Sequence, residues 1–91
     1  MAEVELYSWR YCPYCIRAKA LLQQKGVIFR EYAIDGDPVA RRAMAGRAGG
    51  RSTLPQIFIN QVPVGGCDEL MALERSGRLD ALLCEPNTSA T

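Results

Sequence analysis

Two cysteines stand three positions apart in the stretch Cys12-Pro13-Tyr14-Cys15, which separates an apolar run from a helical pattern. Residues 4–7 are predicted to form a strand, and residues 13–25 a helix that ends at Gly26. Ala18, Leu21 and Leu22 are predicted to form the stripe of this helix that faces inward. Two thiols at this spacing can close a small disulfide ring with little movement of the backbone. The stretch therefore predicts a reversible redox site at the end of the first strand.

The position of Cys12 relative to the predicted helix favours a reactive thiol. Pro13 suits the first helical position, because its missing N–H would be unpaired there in any case. The free N–H groups of a helix start carry partial positive charge and stabilise a thiolate, and Arg10 and Lys19 add charge nearby. Cys15 lies about one turn further in, where fewer free N–H groups face it. The pattern predicts Cys12 as the attacking thiol and Cys15 as the resolving thiol.

A cysteine pair at this spacing also occurs in zinc sites and in structural disulfides. Structural zinc usually takes two close ligand pairs, whereas Cys67 and Cys84 lie far apart and the chain contains no histidine. A permanent disulfide across so short a loop removes little entropy from the unfolded chain. The redox interpretation is therefore favoured over both.

Length, composition and charge limit the number of domains and the kinds of partner. The chain has 91 residues, 48% of them apolar, and a formal net charge of +1. We expect a single domain over residues 1–85 and a disordered tail over 86–91. Basic residues concentrate between Trp9 and Arg51, which favours a small acidic thiol over a nucleic-acid or membrane partner. No stretch approaches about 18 apolar residues, and the N-terminus lacks the basic region of a secretory signal. A cytoplasmic location is expected.

The remaining pattern predicts an α/β fold of order β-α-β-α-β-β-α, with room for one more short helix. Strands are predicted over residues 27–34, 56–60 and 62–64, and helices over 38–47, 68–76 and 79–84. Gly46, Gly49 and Gly50 are expected to break the second helix, and Pro63 places its strand at a sheet edge. The result is a mixed four-stranded sheet with helices on both faces and the cysteine pair at the carboxyl end of the first strand.

The chain resembles the glutaredoxins over nearly its whole length, and in particular the short bacterial class with two active-site cysteines. The matching segments stand in order and at the family's spacing: Cys12-Pro13-Tyr14-Cys15, Ile34-Asp35-Gly36, Thr53-Leu54-Pro55-Gln56-Ile57-Phe58-Ile59, Gly65-Gly66-Cys67-Asp68 and Leu79-Asp80-Ala81-Leu82-Leu83. The resemblance implies a thioredoxin fold, a monomer, and glutathione-dependent reduction of disulfide-containing or glutathionylated proteins. Glutathione would be the co-substrate, with no bound metal or organic cofactor.

The resemblance also implies a cis peptide before Pro55 and a glutathione site. Its residues would be Tyr14, Arg51, Thr53, Leu54, Pro55, Gly66, Cys67 and Asp68, with Arg10 and Pro13 in support. The two glycines let backbone approach a ligand closely, and the helix start after them can take a carboxylate. Asp68 can bind the γ-glutamyl ammonium, cap the helix, or do both. For the glycyl carboxylate, the candidate cations are Arg41, Arg42, Arg47 and Arg51.

Two positions near the motif depart from the family pattern. Trp9 stands where many members carry lysine, and Tyr11 where threonine is common. These aromatic side chains could widen or cover the substrate groove, or simply pack on the surface. Cys67 is expected to contact substrate rather than to act as a third redox centre, and Cys84 to be a small core residue.

Two rival functions stay open at this point. One is a dimer that holds a [2Fe–2S] cluster through Cys12 of each chain and two glutathiones, against which Pro13 and Cys15 argue. The other is a thioredoxin-type enzyme that a flavoprotein reductase reduces directly. Asp68 and the arginines, which suit glutathione, argue against that.

Overall fold

The computed structural model describes residues 2–84, which form four strands and four helices. In chain order these are β1 (Val4–Ser8), α1 (Pro13–Gln24), β2 (Phe29–Ala33), α2 (Pro38–Arg47), β3 (Gln56–Ile59), β4 (Val62–Gly65), α3 (Cys67–Arg75) and α4 (Arg78–Cys84). The sheet has the order β2-β1-β3-β4, with β2 parallel to β1 and the other pairs antiparallel. The predicted architecture is confirmed, including the last short helix. The tail predicted over 86–91 lies outside the described residues.

The larger core lies between the sheet and the three helices α1, α3 and α4. Strands β1 and β3 send alternate side chains to this face, as period-two alternation requires. The buried residues are Val4, Leu6, Ala18, Leu21, Leu22, Ile57, Ile59, Leu70, Leu79 and Leu83. The sequence predicts the inward stripe of α1 correctly at positions 18, 21 and 22. Burying each leucine or isoleucine contributes about 1.5–3 kcal/mol, so this face fixes α1 and the cysteine pair at its start.

A smaller core joins α2 to the opposite face of the sheet. Phe58 of β3 is fully buried there, together with Met44 and Ile34. The guanidinium of Arg47 lies 4.2 Å from the centre of the Phe58 ring and 2.8 Å from a carboxylate oxygen of Glu5. Helices therefore cover both faces, as predicted, and α2 carries one of its arginines into an ion pair with β1.

The predicted bounds of α2 are confirmed, but the break at Gly46 and the start of the second strand are wrong. Gly46 does not break α2 but lies inside it, and the chain turns instead at Gly49 and Gly50, whose φ angles are 69° and 96°. Glycine adopts these left-handed conformations at little cost. The helix therefore ends near the glycines that take up this conformation, and not at every glycine. Strand β2 begins at Phe29 and not at residue 27, because pairing with β1 starts where Phe29 meets Val4.

The prediction that Cys84 belongs to the core is also wrong. Cys84 is exposed at the end of α4, whereas Leu79 and Leu83 are buried. Residues one position apart on a helix face different directions. With Leu83 facing inward, Cys84 faces solvent.

Candidate active site

Cys12 forms the N-cap of α1. Its backbone is extended, with φ −87° and ψ 114°, and its sulfur accepts a hydrogen bond from the backbone N–H of Cys15 at 3.4 Å. Pro13 is the first helical residue, as the sequence predicts. The sulfur thus takes the place that a serine or aspartate oxygen takes at other helix starts. This hydrogen bond fixes the sulfur at the start of the helix, where the backbone N–H groups have no partner within the helix.

The second cysteine of the pair has a different environment. Cys15 is fully buried, whereas Cys12 is partly exposed. Burial, together with the hydrogen bond to the Cys12 side chain, raises the pKa of Cys15 to about 12. Cys15 is therefore a protonated thiol at neutral pH, and only the sulfur of Cys12 is open to an incoming molecule.

The two basic residues predicted to add charge near the motif make different contacts. The backbone N–H of Arg10 donates to both carboxylate oxygens of Asp35, at 3.0 and 2.9 Å. This contact ties the loop before Cys12 to the segment after β2. Lys19 forms an ion pair with Glu31 at 3.0 Å, which offsets its charge. Arg10 supports the site through its backbone, and Lys19 brings it little net charge.

One groove gathers all the residues that the resemblance assigns to glutathione. This main groove, of about 160 Å³, is lined by Tyr14, Arg51, Thr53, Leu54, Pro55, Gly66, Cys67, Asp68 and Glu69. They come from α1, the segment before β3 and the start of α3. The peptide between Leu54 and Pro55 is cis, as the resemblance implies.

A second hollow adjoins the main groove, and Cys12 is one of the residues that line it. This side hollow, of about 250 Å³, is lined by Trp9, Cys12, Arg41, Thr53 and Leu54. Thr53 and Leu54 line both spaces. Of the two aromatic residues that depart from the family pattern, Trp9 therefore lines the site. Tyr11 is 84% exposed and lines neither space.

Glu69 lines the main groove and was not predicted from the sequence. Its carboxylate accepts hydrogen bonds from the Arg51 guanidinium and, at 3.1 Å, from the backbone N–H of Gly66. The bond from Arg51 is the main cause that lowers the pKa of Glu69. A glutamate three residues after the N-cap position is the sequence signal that could have found this contact. Gly66, and not Asp68, is the N-cap of α3.

The two glycines before α3 serve close contacts within the protein. A Cβ at Gly65 would lie 2.6 Å from Oε1 of Glu69, and a Cβ at Gly66 would lie 3.2 Å from the backbone oxygen of Pro55. Only glycine at position 65 leaves room for the Glu69 side chain to fold back. Cys67 follows them as a buried residue, and burial raises the pKa of its thiol.

The four candidate arginines have different places. Arg51 lines the main groove. Arg47 is bound to Glu5 and to the hydroxyl of Tyr7 on the α2 face of the sheet. Arg41 lies in the side hollow, and Arg41 and Arg42 together line a neighbouring hollow. The geometry leaves Arg51 as the cation of the main groove.

Two kinds of structural feature are absent from residues 2–84. That part of the chain contains no group of three or more histidine, cysteine, aspartate or glutamate residues placed to hold a metal ion. It also contains no helix of the length and apolar character needed to cross a membrane.

Comparison with known proteins places this geometry in context. A family model described as Glutaredoxin matches residues 4–64. A probable glutaredoxin of Synechocystis is 58% identical over 89 residues, which cover 98% of this chain and 82% of that protein. Glutaredoxin 3 of Escherichia coli K12 is 55% identical over 83 residues, which cover 91% of this chain and 99% of that protein. The crystal structure of a buckwheat glutaredoxin–glutathione complex superposes with a TM-score of 0.82 at 30% identity, covering 90% of this chain and 76% of that one.

Proposed function

Because the chain belongs to the glutaredoxin family and is a glutathione-dependent thiol–disulfide oxidoreductase, we propose that Cys12 is its attacking thiol and Cys15 its resolving thiol. This assignment rests on the different exposure and hydrogen bonding of the two sulfurs. Cys12 is partly exposed and accepts an N–H hydrogen bond, whereas Cys15 is buried and has a raised pKa. A substrate disulfide can reach only Cys12.

The first route uses Cys12 alone. Its thiolate attacks the glutathionyl sulfur of a protein–glutathione mixed disulfide, and the protein leaves as a thiolate that takes up a proton. Cys12 is then joined to glutathione by a disulfide. A second glutathione, as its thiolate, attacks the bound glutathionyl sulfur and leaves as oxidised glutathione. Cys12 is released as the thiolate. Two successive exchanges thus convert one protein–glutathione mixed disulfide and one glutathione into one protein thiol and one molecule of oxidised glutathione.

The second route uses both cysteines on a protein disulfide. Cys12 attacks one sulfur of the disulfide, and the other sulfur leaves with the electron pair. Cys15 then loses its proton and attacks the sulfur of Cys12, which releases the second protein thiol and forms the Cys12–Cys15 disulfide. Two glutathione molecules reduce that disulfide. The raised pKa of Cys15 makes its deprotonation the demanding step.

The main groove is the proposed binding place of glutathione. Arg51 would pair with the glycyl carboxylate, the free N–H groups at the start of α3 with the γ-glutamyl carboxylate, and Asp68 with the γ-glutamyl ammonium. The solved neighbour in complex with glutathione supports glutathione as the ligand. The gathering of residues from three segments into one groove supports this location.

Further features of the protein are proposals of the same kind. Disulfide-containing and glutathionylated proteins would be its partners, and it would act as a monomer in the cytoplasm, where a reducing environment keeps its thiols reduced. The chemistry above uses only cysteine thiols and glutathione, so it calls for no bound metal or organic cofactor. The cluster-bridging dimer is not favoured, because Pro13 and the second cysteine, Cys15, argue against it.

A glutathione-coupled reduction assay tests the assignment of the two thiols. The assay follows loss of NADPH with glutathione reductase and a small glutathione mixed disulfide as the substrate. We expect Cys12→Ser to abolish turnover and Cys15→Ser to retain most of it. Cys84→Ser, which removes an exposed cysteine far from the motif in sequence, is the matched control. Turnover that survives Cys12→Ser would overturn the assignment.

A further inference from the structure

An ion pair lies next to the buried thiol of Cys15 and has no part in the chemistry described so far. Lys19 follows Cys15 by four positions on α1, so the two side chains are neighbours on one face of the helix. The Lys19 ammonium lies 3.0 Å from a carboxylate oxygen of Glu31 on β2. The two side chains are 32% and 35% exposed. Because the pair is partly buried, salt screens its charges less than those of a fully exposed pair.

Ser8 holds the acidic partner of this pair in place. Ser8 is buried at the end of β1, and its hydroxyl donates to the same carboxylate oxygen of Glu31 at 2.7 Å. Although burial acts to raise the pKa of Glu31, the hydrogen bonds from Ser8 and Lys19 hold that pKa below its ordinary value. Glu31 is therefore ionised at neutral pH, and its charge opposes that of Lys19.

The charge of Lys19 acts on the Cys15 thiol. Burial is the largest cause that raises the pKa of Cys15, and the Cys12 side chain adds to it. The backbone of Trp9 and the positive charge of Lys19 act in the opposite direction. Trp9 follows Ser8 directly, so the residue that anchors the ion pair adjoins one that also acts on the thiol. A change in the net charge of the pair should therefore change how readily Cys15 ionises.

We propose that the pair of Lys19 and Glu31 sets the rate at which Cys15 closes the disulfide with Cys12. Glu31 offsets the Lys19 charge and so keeps Cys15 a protonated, slow resolving thiol. Slow closure leaves more time for a second glutathione to react with the mixed disulfide on Cys12, which favours the route that uses Cys12 alone. Neither partner lines the main groove or the side hollow, so the pair acts on closure rather than on substrate binding. This inference rests on the proposed roles of the two cysteines.

Oxidised glutathione separates closure from the first attack in the full-length protein. When the reduced enzyme meets an excess of it at pH 7, Cys12 takes one glutathionyl group and one glutathione leaves. Cys15 then gives its proton to water, and its sulfur attacks the sulfur of Cys12. The bond from Cys12 to glutathione breaks, and the second glutathione leaves with the electron pair and takes up a proton. Acid quenching and mass measurement follow both phases, of which only the first depends on the concentration of oxidised glutathione.

Substitutions of the two partners should change the second phase in opposite directions. Glu31→Gln keeps an acceptor oxygen for Lys19 but removes the opposing charge. It should speed closure by about threefold at low salt, because the gain in thiolate exceeds the loss of nucleophilicity as the pKa of Cys15 falls. Lys19→Gln leaves the Glu31 carboxylate without its partner and should slow closure by a similar factor. Lys19→Arg keeps the charge and should close at the wild-type rate.

Lys25→Gln is the matched control on the same helix. It breaks the ion pairs with Glu74 and Asp80 at the other end of α1 and should leave both phases unchanged. A pair that only stabilised the fold would give Lys19→Gln and Glu31→Gln effects of the same sign. Unchanged second phases in these two variants, or changes in the same direction, would overturn the inference. A wild type that lacks the first phase would instead overturn the proposed role of Cys12.

Discussion

The Glu69 carboxylate binds the Arg51 guanidinium at the main groove, so the cation proposed for glutathione already has an anionic partner inside the protein. The same oxygen of Glu69 also accepts the N–H of Gly66 at the start of α3. A substrate carboxylate that binds either donor must therefore compete with Glu69. If glutathione binds in this groove as proposed, we expect Glu69 to weaken its binding.

This relationship predicts opposite effects for the two partners. Arg51→Gln should raise KM for a small glutathione mixed disulfide by about fivefold and leave kcat little changed, because it removes a contact made equally before and during the reaction. Glu69→Gln should lower KM by about twofold, because it frees Arg51 and keeps an acceptor for Gly66. Steady-state kinetics at constant ionic strength measure both. A higher KM in Glu69→Gln would show that Glu69 itself binds the substrate.

The raised pKa of Cys15 predicts a pH dependence that separates the two routes. Only the thiolate attacks, and with a pKa of about 12 the thiolate fraction of Cys15 grows by about tenfold per pH unit across the neutral range. Burial, the largest cause of the shift, persists when Cys12 is in a mixed disulfide. When the reduced enzyme reacts without glutathione, the rate of protein-disulfide reduction should therefore rise between pH 6 and pH 9 more than the rate of attack on a small glutathione mixed disulfide. The ratio of the two rates measures this.

Cys15→Ser is the control for that experiment. It should remove the pH-dependent part of protein-disulfide reduction and leave the pH profile for the small mixed disulfide unchanged. A rate ratio that stays flat with pH in the wild type would contradict the assignment of Cys15 as a slow, protonated resolving thiol.

The ion pair between Arg47 and Glu5 should stabilise the fold. Glu5 is buried, and Arg47 joins it to Tyr7 and packs over Phe58. Arg47→Met should lower the free energy of unfolding by about 2 kcal/mol, because it leaves a buried carboxylate without its partner. The double substitution with Glu5→Gln should be less destabilising than the sum of the two single ones. Urea unfolding at pH 7 measures these values, with Arg75→Gln as an exposed control.

The same pair predicts a loss of stability in acid. The hydrogen bond from Arg47 is the main cause that lowers the pKa of Glu5 below its ordinary value of 4.5. A depressed pKa in the folded state stabilises the protein above the unfolded value, and this contribution is lost as pH falls from about 5 through the folded pKa. Glu5→Gln should flatten the dependence of stability on pH in that range. If the stability of Glu5→Gln fell in acid as steeply as that of the wild type, the acid sensitivity would come from other carboxylates.

Gly65 and Gly77 form a matched pair for testing the close approach of Glu69. Both have positive φ angles, 118° and 76°, but a Cβ at Gly77 would meet nothing within 4 Å, whereas one at Gly65 would meet the Glu69 carboxylate. Gly77→Ala should cost about 1 kcal/mol from its backbone conformation alone. Gly65→Ala should cost more and also change KM for the glutathione mixed disulfide. Equal costs and an unchanged KM would show that the Glu69 side chain simply moves aside.

Local patterns and family resemblance predict different parts of this molecule. Spacing and periodicity predict the place of Cys12 at the start of α1 and the buried stripe on that helix. The family resemblance predicts the residues that line the main groove and the cis peptide before Pro55. Neither predicts the pair of Arg51 with Glu69, because those residues belong to separate segments that only the folded sheet brings side by side.

Prediction fails for a related reason at the ends of elements and on the surface. Cys84 ends the apolar run Ala81-Leu82-Leu83, yet the orientation of α4 turns it outward. Lys19 has the charge expected near the motif, yet Glu31 of β2 offsets it. Both outcomes depend on how one element packs against another, which composition does not specify.

Thr53 and Leu54 form a wall that the main groove and the side hollow share, so a substitution at either residue changes both spaces. Of these two spaces, Trp9 lines only the side hollow and Asp68 only the main groove. Apart from their shared wall, the two spaces can therefore be altered independently by substitution.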